Sequence, residues 1–114
     1  RVLFRSNLSA MSTGTKRIFW LLTNIFIASC NQVSCIGVEE LETSIHPRML
    51  KELLEIISDT LEQTCLIISS HSPYLVQYLK PDQLYAGGCP QPGIAQFFQI
   101  SPGKVKKLIA AARV

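Results

Sequence analysis

Two carboxylates in a row at the end of an apolar run are the first residues here with a chemistry of their own. Val33 to Val38 leads straight into Glu39-Glu40-Leu41-Glu42. Phosphoryl-transfer sites use this arrangement: one carboxylate orders Mg²⁺, usually through water, and the next polarises the attacking water. An acidic pair of this kind also fits a solvated strand end. A second apolar run, Cys65 to Ser70, ends in Ser69-Ser70-His71-Ser72-Pro73. An imidazole at that place can hydrogen-bond a terminal phosphate and report its presence, or it can bond to nearby backbone. Upstream, Ser12-Thr13-Gly14-Thr15-Lys16-Arg17 puts hydroxyls, free N–H groups and two cations at a helix start. That is a ready anion site, and equally an ordinary N-cap.

The surrounding periodicity supplies the elements that must position these groups. From Ser12 to about Cys30, Ile18, Leu21, Leu22, Ile25, Phe26 and Ser29 fall on one helical face, with Phe19 and Trp20 widening the stripe. Val33 to Val38 reads as a buried strand. Pro47 opens a second helix, with Leu50, Leu53, Leu54, Ile57 and Leu61 inward. Cys65 to Ser70 is a second buried strand, and Ser72-Pro73 caps and starts a short helix through Leu79. Gln83 to Ala86 reads as a short strand and Gly87 to Gly93 as a turn cluster. Ala95 to Ile100 follows as an antiparallel return strand, and a basic helix runs from Ser101-Pro102-Gly103 to about Ala112. Alternating buried strands and amphipathic helices predict an α/β fold whose sheet is mostly parallel and flanked by helices, with a small C-terminal hairpin and helix. In such sheets chemistry collects at the carboxyl ends of the strands, where Glu39, Glu40 and His71 stand.

In order, Ser-x-Gly-Thr-x-Arg on a helix, strand-Glu-Glu-x-Glu-x-x-Ile-His-Pro and strand-Ser-Ser-His-Ser-Pro resemble the C-terminal half of an ABC-type P-loop ATPase head. The variant is the SMC/RecF/OLD-like group of AAA-family ATP-binding proteins, and the resemblance spans residues 8–86. It implies that Ser12, Thr13 and Gly14 match the signature motif, which caps the γ-phosphate of ATP held by a second head. Glu39 then matches the Walker B position that orders Mg²⁺, Glu40 the catalytic general base, and His71 the switch histidine. The loop from Glu42 to His46-Pro47 carries the Ile-His-Pro typical of this group. The cofactors so implied are ATP and Mg²⁺. The implied partners are a second copy, as a homodimer, or an N-terminal lobe, with DNA reached through the parent protein.

Several residues depart from the pattern. Leu-Ser-Gly-Gly-Gln and Asp-Glu-Pro-Thr are both absent, which argues against a transporter subunit. Glu39 replaces the commoner Asp, and Leu41 stands where Pro is frequent. Nowhere does Gly-x-x-x-x-Gly-Lys-Ser/Thr occur, so the loop that cradles the β- and γ-phosphates is missing. The 114 residues therefore read as the C-terminal lobe of a head, half of a site, with feeble or absent ATP binding alone. The alternative is a non-catalytic lobe serving as a binding or dimerisation module. An enzyme using His71 with Ser70 or Ser72 fits poorly, for no Gly-x-Ser-x-Gly elbow is present.

Composition narrows the class further. Hydrophobic residues make up 47% of the 114 and charged residues 17%, with mean hydropathy +0.24, enough for one domain with a real core. A net charge of +3 is too small to argue for nucleic acid. Lys104, Lys106, Lys107 and Arg113 read as a solvated basic face, and Asp82 is the only acid after Glu62, so no nuclease carboxylate cluster is present. Ile18 to Cys30 falls short of the ~20 apolar residues that cross a bilayer, and the first residues lack a leader's apolar stretch. Cys30, Cys35, Cys65 and Cys89 form no Cys-x-x-Cys pair and three of them lie in or beside apolar runs. They read as small buried hydrophobes in a reducing, cytoplasmic compartment.

Overall fold

In the computed structural model, which describes residues 7–112, a 3-10 turn at Leu8–Ala10 leads to Ser12. The Ser12 hydroxyl accepts the Thr15 N–H at 3.2 Å and so caps the first helix, α1, Thr13–Cys30. Strand β1, Cys35–Glu39, follows, then helix α2, Pro47–Thr60, and strand β2, Cys65–Ser69. His46 caps α2, its Nδ1 accepting the Arg48 N–H at 3.2 Å, and Pro47 occupies a first-turn position where no amide hydrogen is needed.

The chain divides into two compact units, Arg1–His71 and Ser72–Val114. In the first, β1 and β2 pair in parallel with Cys35 opposite Cys65 and Glu39 opposite Ser69. A parallel pair joined through α2 ends both strands on one rim, which is why two remote motifs meet. The core beneath is aliphatic: Leu21, Ile25, Val38, Leu41, Ile45, Leu50, Leu53 and Ile57 are all buried. Ser29 Oγ donates to the Thr60 carbonyl at 3.0 Å and ties the end of α1 to the end of α2.

The second unit opens with a one-turn helix, α3, Pro73–Val76, and a 3-10 turn at Pro81–Gln83. Strands β3, Tyr85–Gln91, and β4, Ile94–Gln99, form an antiparallel hairpin, and α4, Pro102–Ala112, packs on α3. Leu75, Leu84 and Val105 are buried among its described residues. Gly93 turns the hairpin at φ 82°, a left-handed conformation that glycine adopts without penalty.

The α/β architecture with one parallel pair, a C-terminal hairpin and a last helix is as the sequence predicts. Several local expectations change. Neither strand of the first unit is buried as expected, since β1 buries only Val38 and β2 alternates exposed and half-buried residues, and the short helix ends at Val76 rather than Leu79. Phe19, Trp20 and Phe26 are 56%, 59% and 64% exposed, because α1 is apolar nearly all round and only its Leu21–Ile25–Ala28 side is buried. The first strand starts at Cys35, leaving Val33 exposed. The glycine-rich stretch from Gly87 continues β3, with an irregularity between Gly88 and Gln91, so only Pro92-Gly93 turns. All four cysteines are exposed and free. Among the described residues no helix is long and apolar enough to cross a membrane. Of the basic tail, Arg113 lies outside the described residues.

Candidate functional site

The rim where β1 and β2 end carries a polar cavity of about 470 Å³, lined by Arg17, Glu39, Glu40, Thr43, Ser69 and His71. Glu39 closes β1. Glu40 leaves the ladder with a positive φ of 46°, and its N–H donates to the Ser69 carbonyl at 2.9 Å. That bond fastens the glutamate to the end of the neighbouring strand. Thr43 holds its other side: the Thr43 N–H donates to the Glu40 carbonyl at 2.9 Å, and Thr43 Oγ1 donates to Glu40 Oε2 at 3.3 Å.

Glu40 Oε1 lies 3.8 Å from His71 Nε2, with the histidine side chain 90% and the glutamate side chain 54% exposed. The His71 backbone N–H donates to Glu42 Oε1 at 3.2 Å, so the loop after β1 also fixes the residue that follows β2. Arg17 reaches over from α1. Its guanidinium donates to the carbonyls of Glu39 at 2.9 Å and Glu40 at 3.1 Å. Charge-assisted bonds of this kind are among the stronger ones in proteins. They hold the backbone and leave the Glu39 carboxylate with no partner among the described residues.

Glu39, Glu40 and His71 are thus brought together, as their strand-end positions predict. Ser12, Thr13 and Gly14 are not among the lining residues. They form the first turn of α1, where Ser12 Oγ and Thr15 Oγ1 share a hydrogen bond of 2.8 Å. Gly14 lies against the loop after β1, and a Cβ there would run into the Ser44 carbonyl oxygen. Sequence reading assigned no role to Thr43 or Ser69 and counted Arg17 only as added charge. Arg17 bonds to backbone carbonyls 22 and 23 residues away, and no local pattern signals such a bond. Among the described residues no group of three or more His, Cys, Asp or Glu side chains is set to hold a metal ion.

The sequence profile of a family described as "AAA domain, putative AbiEii toxin, Type IV TA system" matches residues 6–77. The chain belongs to this AAA-domain family. No curated protein matches it. Among solved structures it is similar to a chain from work described as "Structural biochemistry of ATP-driven dimerization and DNA stimulated activation of SMC ATPases", at a TM-score of 0.74 and 14% identity. The superposition covers 96% of this AAA-family chain and 66% of the SMC chain. At that identity the likeness is one of fold, and the fold is that of a P-loop ATPase of the SMC kind.

Proposed function

We propose that this AAA-family chain is the C-terminal lobe of an ABC-type ATPase head, and that the complete head binds Mg-ATP between two heads and hydrolyses it. The reading is carried by the approach of Glu40 to His71, 3.8 Å apart at the ends of two parallel strands. Glu40 is the general base that takes a proton from the attacking water. The Thr43 hydroxyl on Oε2 orients its carboxylate and leaves Oε1 on the side of His71. His71 senses the γ-phosphate, and its contact with Glu40 links phosphate occupancy to the base.

Mg²⁺ takes one or two carboxylates with waters and phosphate oxygens, and the exposed Glu39 carboxylate fits that demand. Glu39 would hold the ion's water shell, and bound Mg²⁺ would neutralise charge on the transferring phosphoryl group. Ser12, Thr13 and Gly14, with the free N–H groups of the first turn of α1, would complete the ATP site of a second head. A homodimer follows from that sharing, and the SMC neighbour's ATP-driven dimerization supports it. DNA contact through the parent protein and a cytoplasmic setting belong to the same proposal.

Replacing Glu40 with Gln in the full-length protein tests it. Turnover falls by about 10²–10⁴-fold, the usual contribution of a positioned base, while ATP binding survives and the closed dimer accumulates in light scattering. Unchanged turnover removes Glu40 from this role. A second reading, a non-catalytic binding or dimerisation module, is favoured by one observation: Phe19, Trp20 and Phe26 leave a wide apolar face of α1 uncovered. Under that reading E40Q alters neither nucleotide binding nor association.

A further inference from the structure

Away from the cavity, two of the four exposed cysteines meet. Cys35 and Cys65 begin β1 and β2 and are direct partners in the parallel register. Paired strands run about 4.8 Å apart, inside the ~4.4–6.8 Å between Cα atoms that a disulfide spans. The strand starts are held in place just before the pair. The Cys65 N–H donates to the Ser34 carbonyl at 2.9 Å, and Thr64 Oγ1 donates to the Val33 carbonyl at 2.7 Å. Desolvation together with the neighbouring Cys65 pushes the Cys35 thiol above its ordinary value. Cys30 and Cys89 have no cysteine opposite them in either ladder.

We propose that Cys35 and Cys65 are an oxidisable dithiol that a hydroperoxide closes to a cross-strand disulfide. One thiolate attacks a peroxide oxygen, breaks the O–O bond and becomes a sulfenic acid, with the departing hydroxide leaving as water. The second thiolate attacks that sulfur, forms the S–S bond and expels a second hydroxide, which also leaves as water. With hydrogen peroxide, two thiols and one peroxide give one disulfide and two waters. The sulfurs lose two electrons and the O–O bond gains them. The strand spacing already lies within the Cα separation a disulfide spans, so the bond closes without a large backbone shift, and at an exposed site it stays open to reduction by thiols. It clamps the two strands that lead to Glu39 and Ser69. The inference rests on the ladder and not on the ATPase reading.

Intact-mass measurement on the chain carrying Cys30→Ser and Cys89→Ser tests it. After equimolar hydrogen peroxide and denaturing alkylation with N-ethylmaleimide, the expected product is monomeric, carries no adduct and weighs about 2 Da less than the reduced protein. Dithiothreitol restores both alkylation sites. Two adducts without reductant, a sulfinic acid, or disulfides between chains only would each overturn the proposal. The unsubstituted chain guards against a variant that misfolds. Its peptide map after the same treatment must join Cys35 to Cys65, and a map joining either one to Cys30 or Cys89 sinks the idea.

Discussion

Gly14 shows how little room a single residue has beside this site. The first turn of α1 presses on the loop after β1, and any side chain at 14 meets the Ser44 carbonyl. Ser44 is itself in a left-handed conformation at φ 63°, so the loop has few ways to retreat. Gly14→Ala is expected to destabilise the fold by about 1–3 kcal/mol, the usual range for overpacking, read as a lower urea midpoint at unchanged slope. An unshifted midpoint would mean that the loop gives way freely. Glu39, Glu40 and His71 were legible in sequence because each directly follows or ends an apolar run, and a parallel sheet sends such ends to one rim. Thr43 was not legible, since its hydroxyl matters only once the chain has turned back over Glu40. The cysteines were misread for a related reason. For Cys35 and Cys65, apolar neighbours along the chain suggest burial, but alternation in a strand decides which side chains face out.

Among the elements, α1 does two jobs with two faces. Its buried side packs through Leu21, Ile25 and Ala28, and its Arg17 bonds to the last carbonyl of β1 and to that of Glu40 just beyond it. Helix and strand end are therefore joined by bonds as well as by packing. Arg17→Ala should lose about 1.5–3 kcal/mol, the usual worth of hydrogen bonds to a charged group, with a lower melting temperature as the readout. Both bonds leave one guanidinium nitrogen, Nη2, so Lys, whose ammonium carries three donors on a shorter arm, should rescue in part. Full stability in the alanine variant would show that the two bonds contribute nothing. The existence of α1, α2, β1 and β2 was readable from period and caps. The extent of β3 was not: Gly87, Gly88 and Pro90 carry turn composition, but pairing with β4 overrides it.

For the molecule as a whole, apolar surface remains uncovered. Phe19, Trp20, Phe26 and Ile27 are each more than half exposed along α1. Burying a large apolar side chain is worth about 1.5–3 kcal/mol, so this face gains several kcal/mol from any cover. Self-association is expected whether the protein is an ATPase head or a binding module. Trp20 is the chain's single tryptophan and reports directly. Its emission should shift to the blue, and the scattering mass should double, as concentration rises. Trp20→Lys should keep the chain monomeric. A red, concentration-independent emission would mean that the face stays wet. Periodicity found the stripe but could not say which side of α1 the core would take, because both sides are apolar.

Glu40 adds one consequence of its own. A residue with a Cβ at φ 46° sits about 1–2 kcal/mol above a glycine in the same place, and asparagine tolerates it better than glutamate does. If Glu40 is the general base proposed above, the position is one where folding and chemistry want different residues. A lineage that had stopped turning over nucleotide would gain stability at once by drifting to glycine or asparagine at 40. Keeping glutamate holds the chain on the less stable side of that choice, and on the proposed role residue 40 would sort relatives into working and retired copies by one codon.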